Sequence, residues 1–362
     1  MTTYGMLLSQ LENLREPLWN VICLDEAHQI KNKNTRSSSA AMSLKAKSRL
    51  ILTGTPIQNH LGDMWNLFQF INPGLLGPWQ EFMDKYINNQ DLETQHSKLH
   101  ELTSPFILRR TKEEVLDDLP EKISYNHLIE LSDDEMLIYE RCRTDAETLF
   151  SKEVQKTDKP KLKISFFEML TKLRLIANSV SLAFPDWTKG SSKVDALMEI
   201  LDTITSVPEN QVLIFSQFTS FLDIVKEKLQ KEGIEYQYLD GQTSLKEREK
   251  QVEEFQRGER QIFLISLKAG GLGLNLTAAN YVILLDPWWN PAIENQATDR
   301  AHRIGQKRAV TIIRMIAAQT IEEKILKLHE KKKELAEKML EGTAKSSSLT
   351  MDDILDLVSP YR

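Results

Sequence analysis

Short apolar runs alternate with helical patterns through the second half of the chain. The predicted strands are Val212–Phe215, Tyr236–Leu239, Ile262–Ser266 and Tyr281–Leu285. The predicted helices that precede or separate them are Lys193–Ile204, Ser220–Lys231 and Leu245–Gln256. Because a helical crossover returns the chain to the same end of a sheet, such strands pair in parallel. The alternation predicts an α/β domain whose ligands bind at the carboxyl ends of its strands.

The first half of the chain carries a shorter version of this pattern. Val21–Leu24 and Arg49–Leu52 are apolar runs that predict two further strands, each followed by polar residues. From Asp63 to about Asn178 the pattern is mainly helical and poor in strands, which predicts a helical insertion. The predicted fold class is therefore α/β, with two parallel sheets and helices inserted between them.

Composition narrows the function classes. A length of 362 residues suggests two or three domains, and 41% hydrophobic with 27% charged residues is ordinary for a globular protein. A net charge of −6 argues against a generally basic nucleic-acid binder, so any nucleic-acid surface would be a local groove. Cys23 and Cys142 are too few for a zinc cluster or disulfide framework, and we expect both to be packing residues. We expect no membrane partner and a cytoplasmic, nucleoid-associated or nuclear location, because no apolar run approaches spanning length.

An acidic pair follows the first predicted strand. Val21–Leu24 leads directly into Asp25 and Glu26, an arrangement that nucleotide hydrolases use to bind magnesium and to orient the attacking water. The alternative is an acidic helix N-terminus. After the next strand, Thr53 and Thr55 could sense a γ-phosphate, or could be capping hydroxyls of a Gly-Pro turn.

Two arginines lie near the end of the second domain. Arg300 and Arg303 would share one face if their segment is helical, and fixed guanidinium groups suit the charge that develops in phosphoryl transfer. The alternative is a solvated helix with surface charges.

Two loops of unusual composition precede these arginines. Lys268–Thr277 contains closely spaced glycines, which allow backbone N–H groups to approach a phosphate but also occur in ordinary tight turns. Trp288 and Trp289 lie in a proline-bounded loop after the last predicted strand. One tryptophan could pack in the core, and the other could wedge against a nucleic-acid strand.

A phosphate-binding loop of the G-x-x-x-x-G-K-[ST] type needs a glycine directly before a lysine. None of the 14 glycines in this chain precedes a lysine. The sequence therefore contains two parts of an ATPase and lacks a third.

Together these segments resemble the SWI/SNF-type family of DNA-dependent ATPases in helicase superfamily two. The matching segments are DEAH at 25–28, LTGTPIQN at 52–59, PFILRRTK at 105–112, VLIFSQFTSFLDI at 212–224, LDGQTS at 239–244, KAGGLGLNLTAANYVILLDPWWNP at 268–291 and QATDRAHRIGQ at 296–306. The resemblance extends from about Thr2 to about Val358, with the motifs in the right order. PFILRR and DRAHRIGQ distinguish this family from RNA helicases of the DEAH type.

The resemblance implies two RecA-like lobes with ATP between them and a brace helix at the C-terminal end. It divides the chain into a truncated lobe 1 with the start of a helical protrusion (1–127), the rest of the protrusion and a linker (128–190), lobe 2 (191–319) and the brace helix with the tail (320–362). It also implies movement along duplex DNA without strand separation.

The resemblance assigns roles to individual residues. Asp25 and Glu26 would hold Mg²⁺ and act in catalysis, with Arg300 and Arg303 as arginine fingers. The implied nucleotide-binding residues are Asp25, Thr53, Gly54, Gly270, Gly273, Gln296, Arg300 and Arg303. The residues implied to lie near the DNA backbone are Ser216, Gln242, Thr243, Thr277 and Trp289. Double-stranded DNA is the implied partner, with RNA polymerase and other DNA-bound proteins as possible targets.

The chain departs from the family at two places. The family reads LRQICNHP where this chain has Leu173–Val180, and the lysine-bearing loop of lobe 1 is absent. Because missing strands would expose an edge and apolar faces, we expect an unstable first lobe and little ATP hydrolysis by this chain alone. The missing piece would be a separate polypeptide or lost by truncation. The alternative is an ATPase-dead remnant that binds DNA or a partner.

Overall fold

The computed structural model describes residues 1–54, 61–89, 92–110, 119–153, 159–270, 274–340 and 356–361. The chain divides into two compact units. Unit 1 comprises Met1–Arg109 and Glu330–Thr350, and unit 2 comprises Arg110–His329 and Met351–Arg362.

Unit 1 contains a two-stranded parallel sheet and six described helices. Its elements are α1 (Tyr4–Ser9), α2 (Leu11–Arg15), β1 (Leu18–Leu24), α3 (Arg36–Ser43), β2 (Lys45–Ile51), α4 (Leu61–Ile71), α5 (Trp79–Tyr86) and α6 (Leu92–Thr103), with 3₁₀ turns at Ala27–Ile30 and Ser104–Phe106. Side-chain caps fix two helix starts, since the Thr3 hydroxyl accepts a hydrogen bond from Met6 N–H and the Thr35 hydroxyl accepts one from Ser38 N–H.

The two faces of the unit 1 sheet differ. One face packs Leu24 and Ile22 into a core with apolar residues of α1, α3 and α4. On the other face Val21 and Leu50 are each 55% exposed, and Trp19 and Cys23 are exposed as well. The expectation that Cys23 is a packing residue is therefore wrong, because nothing in the described part of the chain covers this face.

Helices α4 to α6 form the predicted helical insertion of unit 1. An aromatic cluster joins α4 to α5, with the Trp65 and Trp79 rings edge to face at a centroid distance of 5.1 Å and Phe82 stacked on Trp79. The Lys33 ammonium, in the loop beyond the acidic pair, lies 4.1 Å from the Trp79 ring centroid. This contact ties the loop to the helical insertion.

Unit 2 is built on a six-stranded sheet in which every neighbouring pair is parallel, in the order β3-β8-β7-β4-β6-β5. Its strands are β3 (Lys122–Ile129), β4 (Val212–Ser216), β5 (Tyr236–Leu239), β6 (Ile262–Ser266), β7 (Tyr281–Leu284) and β8 (Val310–Ala317). Its helices are α7 (Asp133–Glu153), α8 (Lys159–Asn178), α9 (Ser192–Thr205), α10 (Thr219–Lys231), α11 (Leu245–Gln256), α12 (Leu267–Gly270), α13 (Pro291–Thr298) and α14 (Ile321–Leu340), the last of which enters the range of unit 1 at Glu330.

Helices cover both faces of the central strands of this second sheet. Ile214 and its neighbours on one face pack with apolar residues of α9 and α10. Leu213 and its neighbours on the opposite face pack with residues of α11, α12 and α13. Strands buried on both sides explain the continuous apolar runs in the sequence.

A third cluster joins α7, α8 and the start of α14. Tyr139, Leu173, Ile321 and Ile325 are fully or nearly fully buried in it, and the Tyr139 hydroxyl accepts a hydrogen bond from the Ile321 N–H at 2.7 Å. Cys142 lies in the same cluster, as expected of a packing residue.

The predicted α/β class with parallel strands is confirmed, but two strands were not predicted. β3 interrupts the region that we expected to be helical, and it pairs with β8 at the edge of the unit 2 sheet. In the described part of the chain no helix is both long enough and apolar enough to cross a membrane.

Candidate active site and nucleic-acid interface

The acidic pair lies directly after β1 in unit 1. Asp25 is exposed, and one of its carboxylate oxygens accepts a hydrogen bond from the Glu26 N–H at 2.9 Å. Glu26 has a left-handed backbone with φ of 49°, and its carboxylate lies 3.3 Å from Nδ1 of His28. A strained backbone at a strand end is common at functional sites, where it orients side chains away from the regular path of the chain.

Backbone hydrogen bonds place the end of β2 beside the acidic pair. The Leu52 N–H donates to the Leu24 carbonyl at 2.8 Å, and the Ala27 N–H donates to the Leu52 carbonyl at 3.0 Å. Thr53 therefore follows immediately beside the acidic pair, where it is half-buried, and Gly54 is exposed. Thr55 lies outside the described residues. The structure thus brings together the acidic pair and the threonine predicted from separate strand ends.

Tyr4 is a neighbour of the acidic pair to which the sequence assigned no role. Its hydroxyl donates a hydrogen bond to the Asp25 carbonyl at 2.9 Å. Burial, together with the negative charges of Asp25 and Glu26, raises the pKa of Tyr4 to about 12. Only the fold brings the Tyr4 hydroxyl to Asp25.

The acidic pair fits a magnesium ion that is shared with a nucleotide. Carboxylate oxygens are hard donors, and Mg²⁺ commonly takes one or two of them while keeping waters and substrate phosphates as its other ligands. Among the described residues no group of three or more His, Cys, Asp or Glu side chains is placed to hold a metal.

Arg300 and Arg303 do not lie on a helix, so the shared helical face predicted for them is not formed. Helix α13 ends at Thr298, so Arg300 and Arg303 lie in the turns that follow. Arg300 is only 8% exposed, and its carbonyl accepts a hydrogen bond from the Leu276 N–H. Arg303 is exposed. Of the two guanidinium groups, Arg303 is the one more open to solvent.

One backbone hydrogen bond, from the Leu276 N–H to the Arg300 carbonyl at 3.1 Å, joins the glycine loop to this segment. Gly270 ends α12, whereas Gly273 lies outside the described residues. Beyond the gap, the Gln256 side-chain amide donates to the Asn275 carbonyl at 3.0 Å and accepts from the Ala278 N–H at 2.9 Å. Gln256 thereby fixes the loop that carries Thr277, which is half-buried. Gln296, on α13, is also half-buried.

The loop after β5 presents two of the residues predicted to contact DNA. Gln242 is exposed and Thr243 is half-buried. The Asp240 carboxylate accepts hydrogen bonds from both N–H groups, at 2.9 and 3.1 Å. Burial alone would raise the pKa of Asp240, but these hydrogen bonds and one from Tyr238 lower it. Asp240 therefore fixes the loop as a stable anion.

Ser216 does not fit direct contact with DNA. It is fully buried at the end of β4, where its hydroxyl donates to the Asp286 carboxylate and accepts a hydrogen bond from the Phe218 N–H. The hydroxyl is therefore used inside unit 2. Trp289, in contrast, is half-buried and retains an exposed part.

Asp286 is the residue of this region that sequence reasoning missed. It lies two residues beyond the end of β7, whereas Asp25 lies one residue beyond the end of β1, so an acidic residue at the end of an apolar strand is a signal that could have found it.

Comparison with known proteins places this geometry in a family. A model described as SNF2-related domain matches residues 1–182, and one described as helicase conserved C-terminal domain matches residues 192–305. An uncharacterised ATP-dependent helicase of Mycoplasma genitalium is 37% identical over 363 residues, covering 99% of this chain and 34% of that protein. The ISWI chromatin-remodelling complex ATPase ISW2 of Saccharomyces cerevisiae is 32% identical over 381 residues, covering 99% of this chain and 33% of that protein.

A solved structure is also similar. The SWI2/SNF2 ATPase core of Sulfolobus solfataricus in complex with double-stranded DNA is 33% identical, with a TM-score of 0.50, and the match covers 96% of this chain and 77% of that one. The chain spans about a third of the length of the curated relatives that it matches.

Proposed function

The chain belongs to the SNF2-related family of ATP-dependent helicase-like enzymes, and from that premise we propose that it is part of a motor that couples ATP hydrolysis to movement on double-stranded DNA. The observation that carries the proposal is the acidic pair Asp25 and Glu26 at the end of β1, joined by backbone hydrogen bonds to the end of β2. ATP is the substrate.

The roles of the unit 1 residues follow from their chemistry. Asp25 binds Mg²⁺, which neutralises phosphate charge when bound, and Glu26 orients the attacking water. Tyr4 holds the Asp25 backbone through its hydroxyl. Thr53 and Gly54 follow β2 beside the acidic pair and contact the nucleotide.

Unit 2 carries the arginines of the proposed mechanism. Arg303, which is exposed, stabilises negative charge that develops on the transferred phosphoryl group, and Arg300 is its buried neighbour. Gly270, Gly273 and Gln296 belong to the nucleotide-binding set of the same unit.

Double-stranded DNA is the proposed nucleic-acid partner. Gln242, Thr243, Thr277 and Trp289 form the proposed contact surface, on loops that Asp240 and Gln256 fix through hydrogen bonds. The duplex DNA bound to the similar Sulfolobus core supports this choice. We further propose the four-part division at residues 127, 190 and 319, and DNA-bound proteins such as RNA polymerase as targets, in a cytoplasmic, nucleoid-associated or nuclear location.

Full activity requires polypeptide that supplies a phosphate-binding loop and covers the open face of the unit 1 sheet. The exposed Val21, Cys23 and Leu50 side chains support this requirement. Adding a polypeptide that carries such a loop is expected to slow alkylation of Cys23 in the native chain. If alkylation proceeds at the same rate with and without it, that polypeptide does not cover this face.

The test of the function is ATP hydrolysis by the purified chain, with and without duplex DNA, beside the Arg303→Ala variant. We expect little turnover from the chain alone and DNA-stimulated turnover once the loop polypeptide is added, with Arg303→Ala abolishing it. Robust DNA-stimulated turnover by the chain alone would contradict the requirement for added polypeptide.

The second candidate function is DNA or partner binding without ATP turnover. The packed core on both faces of the central strands of unit 2 favours it. Duplex binding that persists, with no turnover even after the loop polypeptide is added, would decide for it.

A further inference from the structure

A buried carboxylate joins two strand ends of unit 2. Asp286 follows β7 and is 1% exposed. It accepts a hydrogen bond from the Ser216 hydroxyl, and its two oxygens lie 3.3 and 3.4 Å from the Gln217 N–H. Because these groups belong to the carboxyl ends of β4 and β7, Asp286 fixes the positions of both strand ends relative to each other.

A buried arginine on α8 reaches the same place. Arg174 is 3% exposed, and its Nη2 donates a hydrogen bond to the Pro287 carbonyl and lies 3.9 Å from the Asp286 carboxylate. The arginine thus contacts the backbone and the side chain of the loop that follows β7. This connection crosses from the helical layer to the end of the sheet.

Two aromatic rings lie close to the Arg174 guanidinium. Its central carbon lies 5.3 Å from the Phe218 ring centroid and 5.0 Å from the Trp289 ring centroid. A planar, weakly hydrated guanidinium can stack on aromatic rings while it donates in its own plane, a geometry that the compact lysine ammonium does not reproduce. Nε makes no hydrogen bond to any described residue.

The charges around Arg174 explain why a cation is tolerated there. Burial lowers the pKa of Arg174, whereas the carboxylates of Asp286, Glu322 and Glu294 raise it. Burial raises the pKa of Asp286, and the charge of Arg174 lowers it. Each buried ion therefore favours the charged form of the other.

We infer that Arg174 is a positioning residue that holds the tryptophan loop, Asp286–Trp289, in the orientation that contacts DNA. This inference rests on the proposed function, in which Trp289 belongs to the DNA-contacting surface. It also gives Ser216 a role other than DNA contact, since its hydroxyl secures the carboxylate beside Arg174. Arg174 itself is too buried to touch a phosphate.

The test compares Arg174→Lys with a matched control, Arg143→Lys. Arg143 is also buried, at 8% exposure, and lies on the neighbouring helix α7, where it donates to the Val358 carbonyl and pairs with Glu140 and Glu147. Within the described part of the chain it makes no hydrogen bond, ion pair or ring contact with the tryptophan loop. Both variants keep a positive charge, so the comparison isolates the contact with the loop.

Two readouts are taken on the full chain. The first is the ¹⁹F NMR resonance of Trp289 in protein labelled with fluorotryptophan, identified by a Trp289→Phe variant. The second is the affinity for a dye-labelled DNA duplex over a series of salt concentrations. We expect Arg174→Lys to shift or broaden the Trp289 resonance and to weaken duplex binding about tenfold, the scale of one lost aromatic contact to a nucleic acid. Arg143→Lys is expected to change neither.

The salt series separates positioning from direct contact. Since Arg174 touches no phosphate, its variant should keep the wild-type slope of log affinity against log salt, whereas a lost phosphate contact would lower that slope by about one. If Arg174→Lys does not fold, Phe218→Leu removes one of the two rings and is expected to move both readouts in the same direction.

An unchanged Trp289 resonance, or wild-type duplex affinity in Arg174→Lys, would overturn the inference and leave the proposed function intact. A wild-type chain that binds no duplex DNA would overturn the DNA-contacting role on which both depend.

Discussion

The two parallel sheets of this chain differ in how much of them is covered. In unit 1, β1 and β2 bury one face and leave Val21 and Leu50 each 55% exposed on the other. In unit 2, β4 and β6 are buried along their whole length, with helices on both faces. Strands of similar apolar sequence are therefore covered on one face in unit 1 and on both faces in unit 2. The comparison teaches that helices of the described chain cover both faces of the central strands of unit 2, whereas they cover one face of the unit 1 sheet.

The largest expected effect comes from a buried ion pair of unit 2. Lys193 and Glu322 are both fully buried, with 2.6 Å between Nζ and a carboxylate oxygen. Lys193→Met leaves Glu322 as an uncompensated charge and is expected to lower the free energy of unfolding of unit 2 by about 3–5 kcal/mol. Urea denaturation followed by circular dichroism measures it.

The control is the double variant Lys193→Met with Glu322→Leu. Removing both charges should recover part of the lost stability, because the pair is replaced by apolar side chains. A Lys193→Met variant as stable as the wild type would mean that unit 2 does not depend on this pair.

A second prediction sets equivalent substitutions in the two sheets against each other. Leu213→Ala, at a fully buried position of β4, is expected to cost about 2–5 kcal/mol of unfolding free energy. Leu50→Ala, at a mostly exposed position of β2, should change stability by less than about 0.5 kcal/mol. Equal costs, measured by urea denaturation, would show that the outer face of β2 is covered in solution.

A smaller effect concerns the pH dependence of unit 1. The pKa of Tyr4 is raised from 10.0 to about 12, so the folded state holds the phenolic proton more tightly than the unfolded state. Its contribution to stability is complete below pH 10 and is lost as the pH rises from 10 toward 12. Tyr4→Phe should remove this part of the alkaline loss.

Absorbance at alkaline pH gives the direct check, as the difference between the wild type and Tyr4→Phe isolates one phenol. Asp25→Asn should lower the pH of that transition, since Asp25 is one source of the shift. A phenol that titrates near 10 in the folded protein would mean that Tyr4 does not lie beside the acidic pair.

Much of the fold could be predicted because local patterns carry it. The apolar runs of β4 to β7 are bounded by turn residues and separated by helices, so their identity is local information. β3 was missed because it is an edge strand with mostly exposed side chains, and its partner β8 lies far away in the sequence. An apolar run such as β8 is also compatible with a buried helix, so periodicity alone does not identify it.

Part of the candidate site could also be predicted from local sequence patterns. Asp25, Glu26 and Thr53 follow strands, and parallel pairing alone brings them together. The motif around Ser216 predicts contact with DNA. The structure instead buries its hydroxyl against Asp286, a partner that is distant in the sequence and that the motif does not reveal. The helical face assumed for Arg300 and Arg303 depended on where α13 ends, and helix ends are the least certain feature of a sequence pattern.

The contrast between the two sheets is tested most directly by hydrogen–deuterium exchange on the purified chain. Amides of β4, β6 and β7 should exchange slowly, at rates set by global unfolding of unit 2, whereas those of β1 and β2 should exchange much faster. Adding a polypeptide that covers the open face of unit 1 should slow β1 and β2 alone. Equal protection of both sheets in the isolated chain would contradict the account, because unit 1 would then be stable without further polypeptide.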